Sequence, residues 1–486
     1  MGDTVKGGKG VGGAGTSSTP LSPLYWPLDE LLRRYVERSL SPVEVTREAL
    51  ARIAAYDGQL GAYLTVTEQA ALSQAANAEQ AYARGEAAPL LGVPISIKDL
   101  FDVAGVRTTL GSLVHARDVA PSDSPAVRRL RAAGAVFLGK TNTSEFGQSA
   151  TTESLVGPPA RNPWDPSRTA GGSSGGAAAS VGAGLAAAAL GSDGGGSIRI
   201  PAAFCGLVGL KPGSGTVPEG GRFQAMSEFA SAGPIGRRVG DVRLMLAVLA
   251  GGQPPGGQMR AGLRMAWCPT LDGRPVDSRL AATVERAVGV LADSGPHEIV
   301  EAPPPTVGWQ DVFRVLVLAE ERRQRGHLLR QAQAPLTDYE TRTLVAAEGV
   351  TPGEEEAARG RLQEIRRGFA RYFETVDLVA TPATAVTAFA VGERPREIEG
   401  SRVDRLWGAF PFTPQFNVAG LPAATLPVGL VEGLPVGLQL VVRPGGEELL
   451  LDVCSQLEES IGFDLLAPVR RWPEPGRSQP RILASP

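Results

Sequence analysis

The sequence contains few cysteines, few histidines and little net charge, and each shortage excludes a class of function. Three cysteines among 486 residues cannot build a disulfide framework, which predicts a reducing compartment and a cytoplasmic location. A formal net charge of −3 provides no basic field for nucleic acid. No uncharged apolar run reaches the length of a transmembrane helix. We therefore expect neither nucleic acid nor a membrane as a partner.

Motifs for cofactors and phosphates are also missing. The pattern Gly8-x-Gly10-x-x-Gly13 matches a dinucleotide fingerprint formally, but no strand precedes it. An arginine cluster beside Glu320 and Glu321 predicts a solvated helix face rather than a phosphate site; its members are Arg322, Arg323, Arg325 and Arg330. We therefore predict no cofactor and no metal ion.

Histidine, the usual base of serine hydrolases, occurs only at His115, His297 and His327, none of them in a glycine-rich setting. The run around Ser173 formally matches the G-x-S-x-G nucleophile elbow of α/β-hydrolases, which requires a strand directly before it. The chain has Pro-Trp-Asp-Pro at 163–166 instead. A histidine-dependent esterase with Ser173 as its nucleophile is therefore the weaker alternative.

Glycine, in contrast, is abundant, with 61 residues, and many of them lie in the stretch 169–212. Alanine, valine and leucine alternate with the glycines and serines there, so this stretch predicts a buried site rather than a flexible linker. In the Asp-Gly-Gly-Gly-Ser sequence at 193–197, backbone amides can approach a ligand without interference from Cβ atoms. Ser197 is therefore a candidate nucleophile beside its own oxyanion hole.

Without a suitable histidine, a lysine is the remaining base, and Lys98 lies at the end of the apolar, strand-like run 91–97. Lysine is almost never fully buried unless it is paired, so this position is unusual. A lysine accepts a proton only when neutral. Lowering its pKa from about 10.4 to about 7 requires roughly 4 to 5 kcal/mol of differential solvation, which burial can supply. Lys140 is a second candidate, although its position at a strand end fits a structural role equally well.

Several motifs in the same order resemble those of the amidase signature family, and they lie at 92–99, 139–146, 162–176 and 193–199. Ser173 and Ser197 are 24 positions apart (197 − 173), which also agrees with that family. The resemblance covers residues 25–245 closely and residues 375–445 more loosely. It implies an α/β fold with a single large mixed β-sheet flanked by helices on both faces.

The resemblance also implies a catalytic mechanism. Ser197 would be the nucleophile that forms an acyl-enzyme, and Lys98 would be the base. Ser173 would relay the proton between them, and the peptide bond between Gly172 and Ser173 would be cis. The family therefore implies a serine hydrolase that cleaves C–N bonds without a histidine.

Further residues of the site follow from the same resemblance. The oxyanion would be bound by backbone amides, next to that of Ser197, from Gly194, Gly195 and Gly196. Asp193 and Arg199 would pair to hold the loop, and Ser174 would support the lysine. Gly194 departs from the family, which often has a β-branched or larger residue there.

The chain is predicted to form one domain over residues 25–475. A Gly/Ser-rich, disordered tail is expected at 1–24 and a second tail at 476–486. We interpret 241–375 as a variable, mainly helical part that shapes substrate access. It is predicted to contain a strand at 263–266 and helices near 277–293, 308–333 and 353–374.

The stretch 406–428 contains no ionisable side chain and concentrates aromatic residues, in a chain with only 6% of them. An uncharged wall cannot compensate the desolvation of a substrate carboxylate or ammonium group. We therefore predict neutral substrates, namely aryl or alkyl amides and anilides, with an extension to carbamates and urethanes. The substrate-binding candidates are Gln148, Trp407, Phe410, Gln415 and Phe416.

The amidase signature family also includes the glutaminase subunit that amidates mischarged tRNA. Because no glutamine-binding motif is evident between 240 and 372, this amidotransferase function is an alternative and not the main prediction. We expect a free-standing enzyme that acts on small molecules as a monomer or homodimer.

Overall fold

The computed structural model describes residues 21–218, 220–221, 225–252, 262–331, 335–465, 468 and 471–473. Most of the predicted N-terminal tail and all of the predicted C-terminal tail lie outside these residues. The folded part begins earlier than the predicted boundary at residue 25, because Leu24 is fully buried and Pro23–Tyr25 form a 3-10 turn.

The described residues form thirteen strands. They are β1 Tyr63–Val66, β2 Pro94–Lys98, β3 Val136–Thr141, β4 Ala188–Asp193, β5 Val208–Lys211, β6 Ser231–Gly236, β7 Arg264–Trp267, β8 Glu298–Val300, β9 Leu378–Pro382, β10 Glu397–Ile398, β11 Ser401–Arg402, β12 Ala423–Val431 and β13 Leu434–Val441.

Thirteen α-helices accompany them. They are α1 Leu28–Val36, α2 Pro42–Leu60, α3 Glu68–Ala83, α4 Pro125–Ala132, α5 Gly175–Gly182, α6 Arg199–Cys205, α7 Val239–Ala250, α8 Ser278–Asp293, α9 Trp309–Arg325, α10 Asp338–Glu348, α11 Pro352–Tyr372, α12 Pro414–Val418 and α13 Glu447–Ile461. Helix α2 begins as its sequence predicts, with Ser41 as N-cap and Pro42 at the first helical position.

Eleven strands form one sheet in the order β1-β3-β2-β4-β6-β5-β12-β13-β9-β7-β8, and β10 and β11 pair separately. The pairs β3–β2, β2–β4, β9–β7 and β7–β8 are parallel, whereas the others in the large sheet are antiparallel. Every residue of β2, β3 and β13 is buried. Both faces of the sheet are therefore covered by helices, and the predicted α/β architecture is confirmed.

The middle of the chain contributes strands to the sheet and helices that lie beside the candidate site. Strands β7 and β8 extend the sheet beyond β9, and α8 packs against β12 and β13. Helices α9 and α10 contact each other and line a cavity beside the candidate site. Among the described residues of 241–375, those that line this cavity belong to α9, to α10 and to the two positions directly before α10, so the prediction that all of 241–375 shapes substrate access is too broad.

One local prediction is wrong. Arg325 was expected on a solvated face, but it is buried and forms an ion pair with the fully buried Glu321. Within the described ranges, no helix combines the length and apolar character needed to cross a bilayer.

Candidate active site

Lys98 lies at the carboxyl end of β2, between β3 and β4 near one side of the sheet, and its side chain is fully buried. Its Nζ donates to Ser173 Oγ at 2.7 Å and to Ser192 Oγ at 2.9 Å. Burial lowers the pKa of Lys98 to about 7, against a smaller opposing effect of the Asp193 carboxylate. Near neutral pH, a substantial fraction of Lys98 is therefore uncharged and able to accept a proton.

Ser173 is held directly before α5 by a tightly packed backbone. The peptide bond between Gly172 and Ser173 is cis, as the resemblance implies. A Cβ atom on Gly172 would lie 2.5 Å from the carbonyl carbon of Thr151, so only glycine fits there. Ser173 is buried, and Ser197 is half-buried. Both serines line one cavity of about 380 Å³, which we call the inner cavity.

The backbone turn before Ser197 provides hydrogen-bond donors. The N–H of Gly196 donates to Asp193 Oδ1 at 2.6 Å, so this amide is already engaged. No other described residue accepts a hydrogen bond from the N–H groups of Gly194, Gly195 or Ser197. The predicted oxyanion hole therefore requires a correction: Gly196 holds the turn in place, and the available donors are the other three amides.

Asp193 and Arg199 form the ion pair that was expected at this turn. Both side chains are fully buried, and Arg199 Nε lies 2.9 Å from Asp193 Oδ2. Burial by itself would raise the pKa of Asp193, but the Arg199 guanidinium lowers it below its usual value. Arg199 also donates to Asn417 Oδ1 and to Gln439 Oε1. The turn is thereby fixed to α12 and β13.

Ser174 and Ser192 surround the lysine with further hydroxyls. Ser174 Oγ donates to the carbonyl oxygen of Ser192 at 3.1 Å, and its N–H donates to the carbonyl oxygen of Ser197 at 3.1 Å. Ser174 therefore supports the site through the backbone and through Ser192. Ser192 itself was not predicted, although its position one residue before Asp193 on β4 was a signal for it.

Lys140, the other candidate base, has a structural partner. Its Nζ lies 2.8 Å from Asp99 Oδ1 and donates to Thr108 Oγ1 at 2.7 Å. Both members of the Lys140–Asp99 pair are buried. Lys140 is therefore held in a buried ion pair, which fits a structural role.

A second cavity of about 1070 Å³ adjoins the site, and we call it the outer cavity. Met226 lines both cavities. A Cβ atom on Gly194 would lie 2.7 Å from Met226 Sδ, and one on Gly195 would lie 3.1 Å from Trp407 Cη2. Met226 and Trp407 also line the outer cavity, which therefore borders the back of the turn at 193–197, which we call the oxyanion turn.

The predicted substrate-binding residues separate into two groups. Gln148 and Trp407 line the outer cavity, and Gln148 donates to Glu321. In contrast, three of them are fully buried and line neither cavity: Phe410, Gln415 and Phe416. Their side chains point into the interior, so the prediction that they contact substrate is wrong for them.

None of the three histidines lines the inner cavity. His115 instead lies 2.8 Å from the Asp118 carboxylate at a partly exposed position. The arrangement around Ser173 therefore lacks the base that a histidine-dependent esterase needs.

Comparisons with known proteins agree with this geometry. The family model described as Amidase matches residues 44–451. The chain is 37% identical to a glutamyl-tRNA(Gln) amidotransferase subunit from Moorella thermoacetica, over 92% of this chain and 98% of that protein. A crystal structure of an amidase covers 90% of this chain and 100% of its own, with TM-score 0.84 and 32% identity.

Two further solved structures are hydrolases. A bacterial aryl acylamidase of the amidase signature family has TM-score 0.83 and 26% identity, covering 93% of this chain and 99% of its own. A 6-aminohexanoate cyclic dimer hydrolase bound to its substrate has TM-score 0.79 and 28% identity, covering 91% and 99%. With the family model matched over most of its length, the chain belongs to the amidase signature family.

Proposed function

We propose that this protein hydrolyses the C–N bond of small amides through an acyl-enzyme on Ser197. The observation that carries the proposal is the 2.7 Å hydrogen bond between Lys98 Nζ and Ser173 Oγ, at the wall of a cavity that also exposes Ser197. A buried lysine with a pKa of about 7 can act as a base in this position.

The proposed reaction begins with two linked proton transfers. Ser173 passes its proton to neutral Lys98 and takes the proton of Ser197, whose Oγ attacks the substrate carbonyl carbon. The amides of Gly194, Gly195 and Ser197 stabilise the resulting oxyanion. The proton returns through Ser173 to the leaving nitrogen, and the C–N bond breaks. Water then attacks the acyl-enzyme by the same route and releases the acid.

Neutral groups around the scissile bond suit the inner cavity best. The described residues that line it are apolar side chains, glycines and serines, with no ionisable side chain among them. Burial of an unpaired charge there would be costly. This supports aryl or alkyl amides and anilides as substrates, and carbamates and urethanes as related ones.

The amidotransferase alternative is supported by the 37% identity to the Moorella thermoacetica protein. Glutamine, however, carries an ammonium and a carboxylate on its acyl side, and both would enter or border the inner cavity. We therefore favour a free-standing hydrolase that acts as a monomer or homodimer. A cytoplasmic location is supported by the three buried, unbridged cysteines.

The first prediction tests the nucleophile. Ser197→Ala should lose all measurable hydrolysis of a neutral anilide while retaining its melting temperature, because Ser197 alone supplies the attacking oxygen. A fluorophosphonate probe should label Ser197 only, as mass spectrometry of the modified peptide will determine. Ser460→Ala, an exposed serine of α13, is the matched control and should be unaffected. Labelling of Ser173 with an active Ser197→Ala variant would support the nucleophile elbow instead.

A further inference from the structure

Four arginines that the proposed mechanism does not use line the outer cavity, and three of them are exposed: Arg314, Arg342 and Arg405. Arg394 lines this cavity and is half-buried. Its guanidinium donates to Ser149 Oγ and, at 2.9 Å, to Thr151 Oγ1. No carboxylate of the described residues lies within ion-pairing distance of it. Burial lowers the pKa of Arg394, against smaller opposing effects of Tyr339 and of the Glu153 carboxylate.

None of the described acidic residues that line the same cavity forms an ion pair with this guanidinium, although the Glu153 carboxylate is near enough to act on it electrostatically. Glu145 accepts hydrogen bonds from Ser112 Oγ and from the N–H of Thr337, so its carboxylate has other partners. Glu153 and Asp338 are exposed. The guanidinium therefore remains available to an anion that enters the cavity from solvent.

A chain of packing contacts connects Arg394 to the reaction centre. Its acceptor Thr151 contacts Gly172 directly, since a Cβ atom on Gly172 would lie 2.5 Å from the Thr151 carbonyl carbon. Gly172 precedes Ser173. On its other side, the outer cavity is bounded by Met226 and Trp407, which lie against the oxyanion turn. A ligand that passes Met226 can therefore reach from Ser197 into the outer cavity.

We propose that the outer cavity binds the distal end of the substrate, that this end carries a carboxylate, and that Arg394 is its anchor. The inference rests on the proposed function and refines it: the groups at the scissile bond are neutral, and one negative charge lies at the far end. Trp407 and Phe313 line the cavity between the two ends and suit an aryl or alkyl spacer. A guanidinium binds a carboxylate with two parallel N–H···O bonds, which gives both affinity and orientation.

The test uses three substrates with the same scissile anilide bond. They are butyranilide, 4-(butyrylamino)benzoate with the carboxylate on the amine side, and glutaranilic acid with the carboxylate on the acyl side. The wild type should prefer one of the two acids to butyranilide. Arg394→Gln should lower the kcat/KM ratio of that acid to butyranilide by about tenfold or more, through KM. Arg394→Lys should restore part of the ratio, and the exposed Arg402→Gln is the matched control.

A binding measurement separates this inference from the proposed function. In the Ser197→Ala background, calorimetry with the preferred acid should show a Kd raised by about tenfold when Arg394→Gln is added. Arg394-dependent binding without turnover in the wild type would refute the proposed hydrolysis and support the carboxylate site. Equal changes for the acids and butyranilide, or acids that bind no better than butyranilide, would overturn the carboxylate site.

Discussion

At Lys98, burial and the neighbouring carboxylate of Asp193 act on the pKa in opposite directions. Burial has the larger effect because the lysine lies at the end of a strand with neighbours on both sides, and the resulting pKa is about 7. The Asp193 carboxylate pairs with Arg199, and this pairing weakens its attraction for the protonated form of Lys98. The same ion pair that fixes the oxyanion turn therefore helps to keep Lys98 neutral.

The second prediction concerns the pH dependence of turnover. Because Lys98 accepts a proton only when neutral, kcat/KM should rise about tenfold per pH unit below pH 7 and level off above about pH 7. A pH profile for a neutral anilide, whose own charge does not change, will measure this. A profile that is flat between pH 5 and 9 would contradict the role of Lys98 as the base.

The third prediction concerns stability. In the unfolded chain Lys98 has a pKa of about 10.5, so between about pH 7 and 10.5 the unfolded state binds one proton more than the folded state. The free energy of unfolding should therefore rise by about 1.4 kcal/mol per pH unit in this window because of Lys98. Lys98→Met should be inactive and more stable than the wild type, with a difference in melting temperature that shrinks from pH 7.5 to 9.5. A constant difference would show that Lys98 is charged in the folded state.

The sequence indicates Lys98 and Ser197 through their residue types and surroundings, and the resemblance to the amidase signature family adds the bridging role of Ser173. The structure places Lys98 and Ser173 in contact and both serines in one cavity, and the three catalytic roles stay predictions. The sequence was insufficient to predict the hydrogen-bond partners of Ser192 and Gly196, because these partners depend on how the turn folds back on the neighbouring elements. Phe410 and Phe416 illustrate the same limit. Their aromatic side chains indicate apolar surroundings, but only the fold determines whether such a side chain lies in the core or lines a cavity.

At the scale of the elements, Arg199 connects three parts of the site. It is the first residue of α6, pairs with Asp193 at the end of β4, and reaches Asn417 on α12 and Gln439 on β13. Asn417 Nδ2 in turn donates to Asp193 Oδ1 at 2.9 Å. Helix α6, strand β4 and the C-terminal segments are therefore held at fixed positions by one guanidinium.

The fourth prediction follows from this connection. Arg199→Met should lower the free energy of unfolding by about 3 to 5 kcal/mol, because it leaves the Asp193 carboxylate buried without its partner. Thermal and denaturant unfolding will measure the loss. Arg84→Met, which removes the exposed pair with Glu86, is the control and should cost at most about 1 kcal/mol. Equal effects of the two changes would mean that the buried pair is not required.

Element prediction succeeded where apolar residues recur with a clear period and failed where they do not. Helices α8 and α11 lie close to their predicted ranges. Helix α10 was missed because its buried residues are Glu340, Leu344 and Ala347, a set with one acid and one small residue. The position of β7 in the sheet was not predictable, since it depends on pairing with β9, more than a hundred residues away in sequence, and β8 joins the sheet through β7.

At the scale of the whole molecule, the question is whether this chain works alone. Its relatives include several hydrolases as well as the subunit of an amidotransferase. The proposed base, nucleophile and oxyanion donors all lie on a single chain, so the proposed chemistry needs no residue of a partner.

The fifth prediction addresses this point. The purified chain should hydrolyse a neutral anilide without any added protein, with a higher kcat/KM than for glutamine, and light scattering should give the mass of a monomer or dimer. Addition of tRNA should not change the rate, because the net charge of −3 provides no attraction for it. Glutaminase activity that exceeds anilide hydrolysis, or that appears only with a partner protein, would favour the amidotransferase alternative.

The strand order also has a consequence for synthesis of the chain. The hairpin of β12 and β13 is inserted between β5 and β9, so the two parts of the sheet meet only through residues made late. Arg199 is synthesised 218 residues before Asn417 and 240 residues before Gln439, its hydrogen-bond partners. A nascent chain on the ribosome therefore exposes the open edge of β5 until β12 is made, 212 positions further along the chain (423 − 211), which is a hazard for aggregation. We expect it to depend on chaperones until the last strands emerge, and to become active only then.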